Sequence, residues 1–217
     1  MSGDKISGKP DKLHLSRIFK DYYLIVFLIF NILLSFGGQI YYFISYLLES
    51  VQEDPQLVGL FSGLKTIAEI TMLSLAPRLK KYLSLPQMLC LSGLLYAVEP
   101  LLYPFCNNAV QICLVQMLNG AGFGTLLASA VNYAYSLAPK GLETTVTSLY
   151  GIGMGVAGII ANAFAGWAIE TLGIHWMYRI TGLTIGTAVV LFILSFTFGR
   201  LVLKKMPPLP FSLKKAD

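Results

Sequence analysis

The chain has 217 residues, of which 55% are hydrophobic and only 12% are charged. Soluble domains carry about 25% charged residues, so this composition excludes an ordinary soluble domain and predicts an all-α protein embedded in a membrane. The net charge of +5 comes from few groups near the ends of apolar runs, so it indicates no nucleic-acid partner. Three cysteines without a CxxC motif and two distant histidines predict no metal site and no cofactor.

Six apolar segments are long enough to cross a bilayer, which needs about 20 residues. They are predicted at residues 22–48, 56–76, 85–105, 109–137, 142–169 and 177–202. The chain is therefore divided into a polar cytoplasmic arm (1–21), a six-helix transmembrane domain (22–202) and a basic cytoplasmic tail (203–217). The first span is too long for the core of a signal peptide, and no cleavage site of small residues follows it.

Basic residues predict the orientation of these spans. With the N-terminus inside, the cytoplasmic segments hold 14 of the 16 lysines and arginines, and the outer segments hold only Arg179. Lys65 lies within a span and completes the set. Because basic residues concentrate on the cytoplasmic side, both termini are expected in the cytoplasm of a multi-pass protein of the cell membrane.

Polar side chains recur on one face of the first span, where Asn31, Ser35 and Gln39 are spaced four residues apart. Asn119 lies inside the fourth span. Such groups should avoid lipid, so they either bond to neighbouring helices or line a cavity. The residues alone leave both interpretations open.

Three charged residues lie inside the predicted spans, namely Lys65, Glu69 and Glu99. A charge there costs at least ~2.5–3.5 kcal/mol on insertion scales, so it indicates a partner, a water-filled cavity or a task. Helical rise places Lys65 between the two acids in depth, and Lys65 shares a helix face with Glu69. In one interpretation Lys65 and Glu69 form a structural pair while Glu99 reaches the outer interface. In the other, one carboxyl is protonated and exchanges its proton during transport.

Three segments of the spans follow a pattern in their order and spacing. They are Ala68-Glu69-Ile70-Thr71-Met72-Leu73, the stretch from Gln116 to Gly124, and the glycine-rich stretch from Gly151 to Gly173. Together they resemble the carboxyl-terminal half of a major facilitator superfamily transporter, in the branch of lactose permease and the nucleoside–proton symporters. The first is similar to the eighth-helix pattern Ala-Glu-Ile-Pro-x-Met of that branch, the second to its tenth-helix pattern Gln-x-Leu-His-Gly-x-x-Phe, and the third to its eleventh helix.

The resemblance implies half of a twelve-span fold built around a central cavity. It transfers Glu69 as a substrate or coupling carboxyl. Asn119 stands where the family often has His, Glu99 where it often has Arg, and Gly122 where the acid of the tenth-helix proton relay would be, so that relay is not transferred. A second six-helix half or a homodimer is the expected partner.

The expected function is proton-coupled secondary transport of a polar small solute, such as a sugar, an oligosaccharide or a nucleoside. The residues expected to bind solute or proton are Lys65, Glu69, Glu99, Asn31, Gln39 and Asn119. An exporter of amphipathic or cationic compounds and a non-transporting membrane subunit or remnant are the alternatives. An enzyme is not expected, since no nucleophile–base pairing, phosphate loop or metal-ligand cluster is present in the sequence.

The orientation can be tested by cysteine labelling at Asn107 and Lys140 in a background that lacks the native cysteines. An impermeant maleimide added outside intact cells should label position 107 and leave position 140 unlabelled, because the rule on basic residues places them on opposite sides. External labelling at position 140 but not at position 107 would reverse the assignment.

Overall fold

The computed structural model describes residues 20–204, 206, 207, 209 and 211, and the regular elements of this part are all helical. Six helices in it are long and apolar enough to cross a membrane. They are α1 (Tyr22–Ser50), α2 (Pro55–Tyr82), α3 (Leu85–Phe105), α4 (Ala109–Leu137), α5 (Glu143–Leu172) and α6 (Ile174–Leu201). The all-α class and the six spans predicted from the sequence are therefore confirmed.

Polar side chains cap the free backbone N–H groups at several helix starts. The Asp21 carboxylate accepts a hydrogen bond from the Leu24 amide at 3.1 Å, and Asn108 caps α4 in the same way. Ser84 precedes α3, and its own amide donates to the Gln87 side chain at 2.9 Å in a capping box. These caps explain why three of the predicted starts agree with the structure to the residue.

Helix α2 extends beyond its predicted end. The sequence predicts a stop at residue 76 because a proline follows, but Pro77 lies inside a helix that continues to Tyr82. The last turn carries Lys80 and Lys81, whose charges favour the carbonyl end of a helix dipole. The proline removes one backbone hydrogen bond without ending the helix.

Helix α1 is interrupted where the sequence predicts one continuous span. An α-helix over Tyr22–Gln39 gives way to a 3₁₀ turn at Ile40–Phe43, and α-helix resumes at Ile44–Ser50. A 3₁₀ turn has about 3.0 residues per turn instead of 3.6, so it shifts the direction of the side chains that follow. The hydroxyl of Tyr41, in this turn, forms a hydrogen bond with that of Ser62 on α2.

Helix α4 lies at the centre of the bundle, with α2 and α3 packed against it. Helix α3 also packs on α6, and α1 packs on α5 and α6. Buried aromatic and aliphatic side chains form one cluster around Phe27, Tyr133 and Val189 and a second around Ile44 and Met177. This arrangement encloses α4 and leaves α2 and α5 at the margin of the bundle.

The two marginal helices are far more exposed than the others. In the most apolar 18-residue stretch of each helix, only 6% of α2 and 28% of α5 are buried. The buried share is 44–56% in the other four helices. On the exposed face of α2 the hydroxyls of Thr66, Thr71 and Ser74 donate to carbonyls of their own helix four residues earlier, at 2.7–2.9 Å. Because these groups are already satisfied, they tolerate an apolar surrounding.

Glycines bring α4 against the backbone of α2. A Cβ on Gly120 would collide with the carbonyl of Lys65, and one on Gly124 would lie 2.6 Å from the carbonyl oxygen of Glu69. The small residues of α4 thus allow its backbone to pack closely on that of α2. In α5, by contrast, an added Cβ on Gly151 or Gly155 would meet no atom within 4 Å.

The predicted terminal segments lie largely outside the described residues. This holds for residues 1–19 of the arm and for residues 205, 208, 210 and 212–217 of the tail. Within the described part of the tail, the Phe211 ring packs on Phe196 with centroids 5.1 Å apart. The Phe211 carbonyl accepts a hydrogen bond from the Ser84 hydroxyl at 2.7 Å, so this part of the chain returns to the start of α3.

Replacing Gly124 by alanine should destabilise the chain, because the added Cβ would come too close to the carbonyl oxygen of Glu69. Overpacking of this kind costs about 1–3 kcal/mol and should lower the unfolding temperature of the chain in detergent. Gly155→Ala is the matched control, since its added Cβ meets open space on another helix. Equal unfolding temperatures for the two variants would contradict the close packing of α2 on α4.

Candidate functional site

A cavity of about 300 Å³ opens between the first five helices. It is lined by Ser35, Gly38, Gln39, Tyr41, Tyr42, Lys65, Tyr96, Asn119, Phe123, Leu126 and Met154. Three of the six residues predicted for the site, Gln39, Lys65 and Asn119, are brought together here. The other three, Asn31, Glu69 and Glu99, do not line it.

Lys65 enters this cavity because α2 and α4 pack so closely at Gly120. Its ammonium lies over the ring of Tyr41, 3.9 Å from the centroid, and 5.8 Å from the ring of Phe123. Aromatic faces attract a cation by about 0.5–2 kcal/mol, depending on how far it is removed from water. The first interpretation of the sequence paired Lys65 with Glu69, but within the described chain no nitrogen–oxygen distance of 4.0 Å or less joins them.

Glu99 lies behind the cavity and is only 3% exposed. Its Oε2 accepts a hydrogen bond from the Asn119 amide at 2.8 Å, and its Oε1 accepts one from the Tyr103 hydroxyl at 2.8 Å. The expectation that Glu99 reaches the outer interface is therefore wrong. The spacing of four residues to Tyr103 and the packing of α3 on α4 instead supply two donors inside the bundle.

Asn119 connects the cavity with the buried acid. Its side chain lines the cavity and also donates to Glu99. A solute that bonds to the other donor or to the oxygen of this amide would therefore share Asn119 with Glu99. Among the residues predicted for the site, Asn119 alone touches both the cavity and a carboxyl group.

The Tyr103 hydroxyl also forms a hydrogen bond with the side-chain oxygen of Gln116. One hydroxyl hydrogen cannot serve both Glu99 and Gln116, so the network has two arrangements, one for each charge state of Glu99. When Glu99 is ionised, Tyr103 donates to it and a rotated Gln116 amide donates to Tyr103. When Glu99 carries a proton, Glu99 donates to Tyr103, and Tyr103 donates to Gln116. In either arrangement one end of the Gln116 amide has no partner among the described residues. The two arrangements differ by one proton.

Several polar groups at or near the cavity lack protein partners in the described part of the chain. The Ser35 hydroxyl and the Asn31 side-chain oxygen are buried and unpaired. The Asn31 amide donates to the Phe27 carbonyl at 2.9 Å, so this residue faces its own helix rather than the cavity. Buried polar groups are normally paired, so Ser35, which lines the cavity, is available to a solute or to water.

Glu69 lies farther from the cavity than the sequence predicts. Its side chain is partly buried, and its backbone is in contact with Gly124. Glu69 interacts electrostatically with Lys65. The interaction of Glu99 with the same lysine is stronger. Of the two acids, Glu99 is therefore the one joined by hydrogen bonds to the wall of the cavity.

Sequence reasoning missed four contributors: Tyr41, Tyr96, Tyr103 and Gln116. The spacing of four residues between Glu99 and Tyr103 on one helix was a usable signal. No signal in the sequence pointed to Tyr41 or Tyr96. The position of Tyr41 depends on the 3₁₀ turn in α1, and the position of Tyr96 depends on how α3 packs against α1. No group of three or more His, Cys, Asp or Glu residues that could hold a metal occurs within the described ranges.

Two buried tyrosines allow a direct test of the Glu99 network. Tyr103→Phe removes a donor to a buried carboxyl and should destabilise the chain by about 1–3 kcal/mol. Tyr178 packs its ring on Tyr103 with centroids 4.7 Å apart, but its buried hydroxyl has no partner among the described residues. Tyr178→Phe should therefore leave thermal stability unchanged or raise it. Equal losses of stability in the two variants would show that the hydroxyl–carboxyl bond contributes nothing.

Comparison with known proteins agrees with this architecture. The model of the family described as "MFS_1 like family" matches residues 4–180. Among curated proteins, none matches the chain. The fold is similar to the crystal structure of a mutant peptide transporter POT in complex with alafosfalin, with a TM-score of 0.65 at 15% sequence identity.

That similarity covers 81% of this chain and 38% of the peptide transporter, so the chain spans less than half the length of its structural neighbour. At 15% identity the likeness shows the fold alone. The family and the fold point to a membrane transporter rather than to an enzyme. The chain belongs to the MFS_1-like family, and its six membrane-spanning helices form one half of a major facilitator fold.

Proposed function

We propose that this chain takes part in proton-coupled secondary transport of a polar small solute across the cell membrane. The observation that carries the proposal is the path from the cavity through Asn119 to the buried carboxyl of Glu99. A solute site and a proton site that share one amide can influence each other directly. The distribution of basic residues supports a cytoplasmic position for both termini.

The lining of the cavity suits a solute with several hydroxyl groups. Gln39 and Asn119 provide amides, Ser35 provides a hydroxyl, and Tyr41 and Tyr42 provide aromatic surface. Amides and hydroxyls can donate to and accept from alcohol groups, while ring faces cover the apolar side of a sugar or a base. A sugar, an oligosaccharide or a nucleoside is the class of solute that this combination favours.

Glu99 is the group proposed to carry the proton. Ionised, it accepts hydrogen bonds from Asn119 and Tyr103, and protonated it donates to Tyr103, which then donates to Gln116. In both states the carboxyl keeps hydrogen-bond partners inside the bundle, so it can change its charge without becoming unpaired itself. Glu69 does not line the cavity, and its assigned contribution is the electrostatic interaction with Lys65.

The transport cycle requires a second wall for the cavity. The open faces of α2 and α5 fit a second six-helix unit, because they are the least buried parts of the bundle. A separately encoded half or a second copy of this chain would close the cavity, and rocking of the two units would expose it to each side in turn. In the same proposal, Asn31 stabilises α1 rather than binding solute, since its amide bonds to its own helix.

The two alternatives predict different behaviour. An exporter of cationic compounds is disfavoured by Lys65, which is the one charged residue among those lining the cavity in the described chain. A non-transporting subunit or remnant would retain the fold without coupling solute to protons. Solute-linked proton movement therefore separates the leading function from the non-transporting alternative, and a response to sugars or nucleosides rather than to cationic compounds separates it from the exporter.

Glu99→Gln should abolish solute-linked proton movement, because an amide keeps the shape of the carboxyl but cannot be ionised. The measurement is the change of external pH when sugars or nucleosides are added to de-energised native membrane vesicles that contain the full chain. Exchange of labelled for unlabelled solute should persist in this variant, since it needs no net proton transfer.

Glu69→Gln and Glu49→Gln complete the experiment. Glu49 lies exposed near the end of α1, so its replacement should leave proton movement normal. Glu69→Gln should retain coupling, because Glu69 does not line the cavity. If both Glu99→Gln and Glu69→Gln show normal solute-linked pH changes, neither acid couples transport, and the Glu99 network is only structural.

A further inference from the structure

The ammonium of Lys65 has no anionic partner at bonding distance in the described part of the chain. Its contacts are the rings of Tyr41 and Phe123, at 3.9 and 5.8 Å from their centroids. Glu99 is engaged by Asn119 and Tyr103, and both acids act on Lys65 only through longer-range charge interaction. An ammonium carries three donors, and an aromatic face occupies one direction, so Lys65 retains donors for another group.

The surroundings of this ammonium are otherwise neutral. Among the described residues, no carboxylate lines the cavity, and Lys65 is the one charged residue that lines it. A cation held in a water-poor site attracts an anion more strongly than it would at a protein surface. The Tyr96 hydroxyl faces the same cavity without a hydrogen bond to the described residues, and Gln39 lies near Gly158 on the opposite wall.

We infer that Lys65 binds an anionic group of the transported solute, so that the solute is a sugar or a nucleoside bearing a carboxylate or a phosphate. This inference rests on the proposed function and narrows its substrate class. The anion bonds to the Lys65 ammonium, while Gln39, Asn119 and the Tyr96 hydroxyl bond to the uncharged body of the solute. The cavity volume of about 300 Å³ contributed by this half is enough for a single ring with its substituents.

The same arrangement explains how the solute and the proton are coupled. Lys65 is attracted to Glu99 when the cavity is empty, and a bound anion takes over that attraction. Ionised Glu99 then loses part of its stabilisation and takes up a proton from the water of the open side, with the hydrogen-bond arrangement of Tyr103 and Gln116 reversing. One negative charge and one proton enter together, so the occupied site gains no net charge.

Glu99 is surrounded by several other polar or titratable groups that define this response. They are Lys65 from α2, Tyr96 and Tyr103 from α3, Asn119 and Gln116 from α4, and Tyr178 from α6. Tyrosines and amides keep their charge state around neutral pH, so Lys65 is the neighbour whose field a bound anion can offset. Glu69, also on α2, interacts electrostatically with the same lysine.

The test measures equilibrium binding to the full chain in lipid nanodiscs with two matched sets of probes. One set is glucose, glucuronate and glucose 6-phosphate, and the other is uridine and uridine 5′-phosphate. The anionic members should bind at least about tenfold more tightly than their neutral counterparts, as expected for a charge-assisted hydrogen bond. Comparing glucuronate with glucose 6-phosphate distinguishes carboxylate from phosphate recognition.

Lys65→Met should abolish this preference for anions, and Lys65→Arg should retain the preference. Lys81→Met, at the exposed end of the same helix, is the matched control and should behave as the unmodified chain. Binding of neutral probes with no preference for anions would overturn the inference and leave the proposed function intact. A preference for anions that survives in Lys65→Met would also overturn the inference without affecting the proposed function.

The remaining outcomes separate the inference from the proposed function. Lys65-dependent anion binding without solute-linked proton movement in vesicles would support the anion site and overturn proton coupling. Absence of saturable binding by every probe of both sets would overturn the inference together with the proposed class of solute.

Discussion

The close approach of α2 to α4 is the contact on which the candidate site depends. Gly120 and Gly124 lie against the backbone of α2 at Lys65 and Glu69, where a Cβ would not fit without movement of the helices. In lipid, apolar side chains gain nothing by leaving one apolar surrounding for another, so close van der Waals contact between backbones is a principal source of helix association. This contact fixes the depth and direction of Lys65, and it places Asn119, one residue before Gly120, beside the cavity.

A second constraint acts on the polar groups that this packing carries into the bundle. Within a bilayer, each polar group must find its partner inside the protein. The hydroxyls on the open face of α2 satisfy the constraint within their own helix, whereas Glu99 satisfies it through Asn119 and Tyr103. The unpaired Ser35 hydroxyl and the free donors of Lys65 lie in the cavity. Unsatisfied groups therefore concentrate where a solute can meet them.

The sequence predicted the six helices well because their signals are local. Apolar length and the caps at Asp21, Ser84 and Asn108 involve residues that are neighbours along the chain. The site was predicted only in part. The free-energy cost of placing a charge in a membrane singled out Lys65, Glu69 and Glu99. This cost could not show which group each charge would contact. Spacing suggested a Lys65–Glu69 pair, whereas the 3₁₀ turn in α1 places Tyr41 beneath the ammonium instead. Contacts of this kind depend on helix rotation and packing, which the spacing of residues along one helix does not contain.

In the proposed function, a second six-helix unit would cover the least buried helices of this half. Helices α1, α3, α4 and α6 bury about half of their most apolar windows in contacts within the chain, but α2 and α5 do not. These two helices also carry the groups that a moving interface requires. Helix α2 holds Lys65, and α5 presents Gly151 and Gly155 with open space in front of them. A partner seated on this side would cover the glycines, close the cavity over Lys65 and remain free to rock, because small residues offer a smooth surface. The charge that is hardest to accommodate in lipid thus lies next to the surface where the second wall of the cavity is needed.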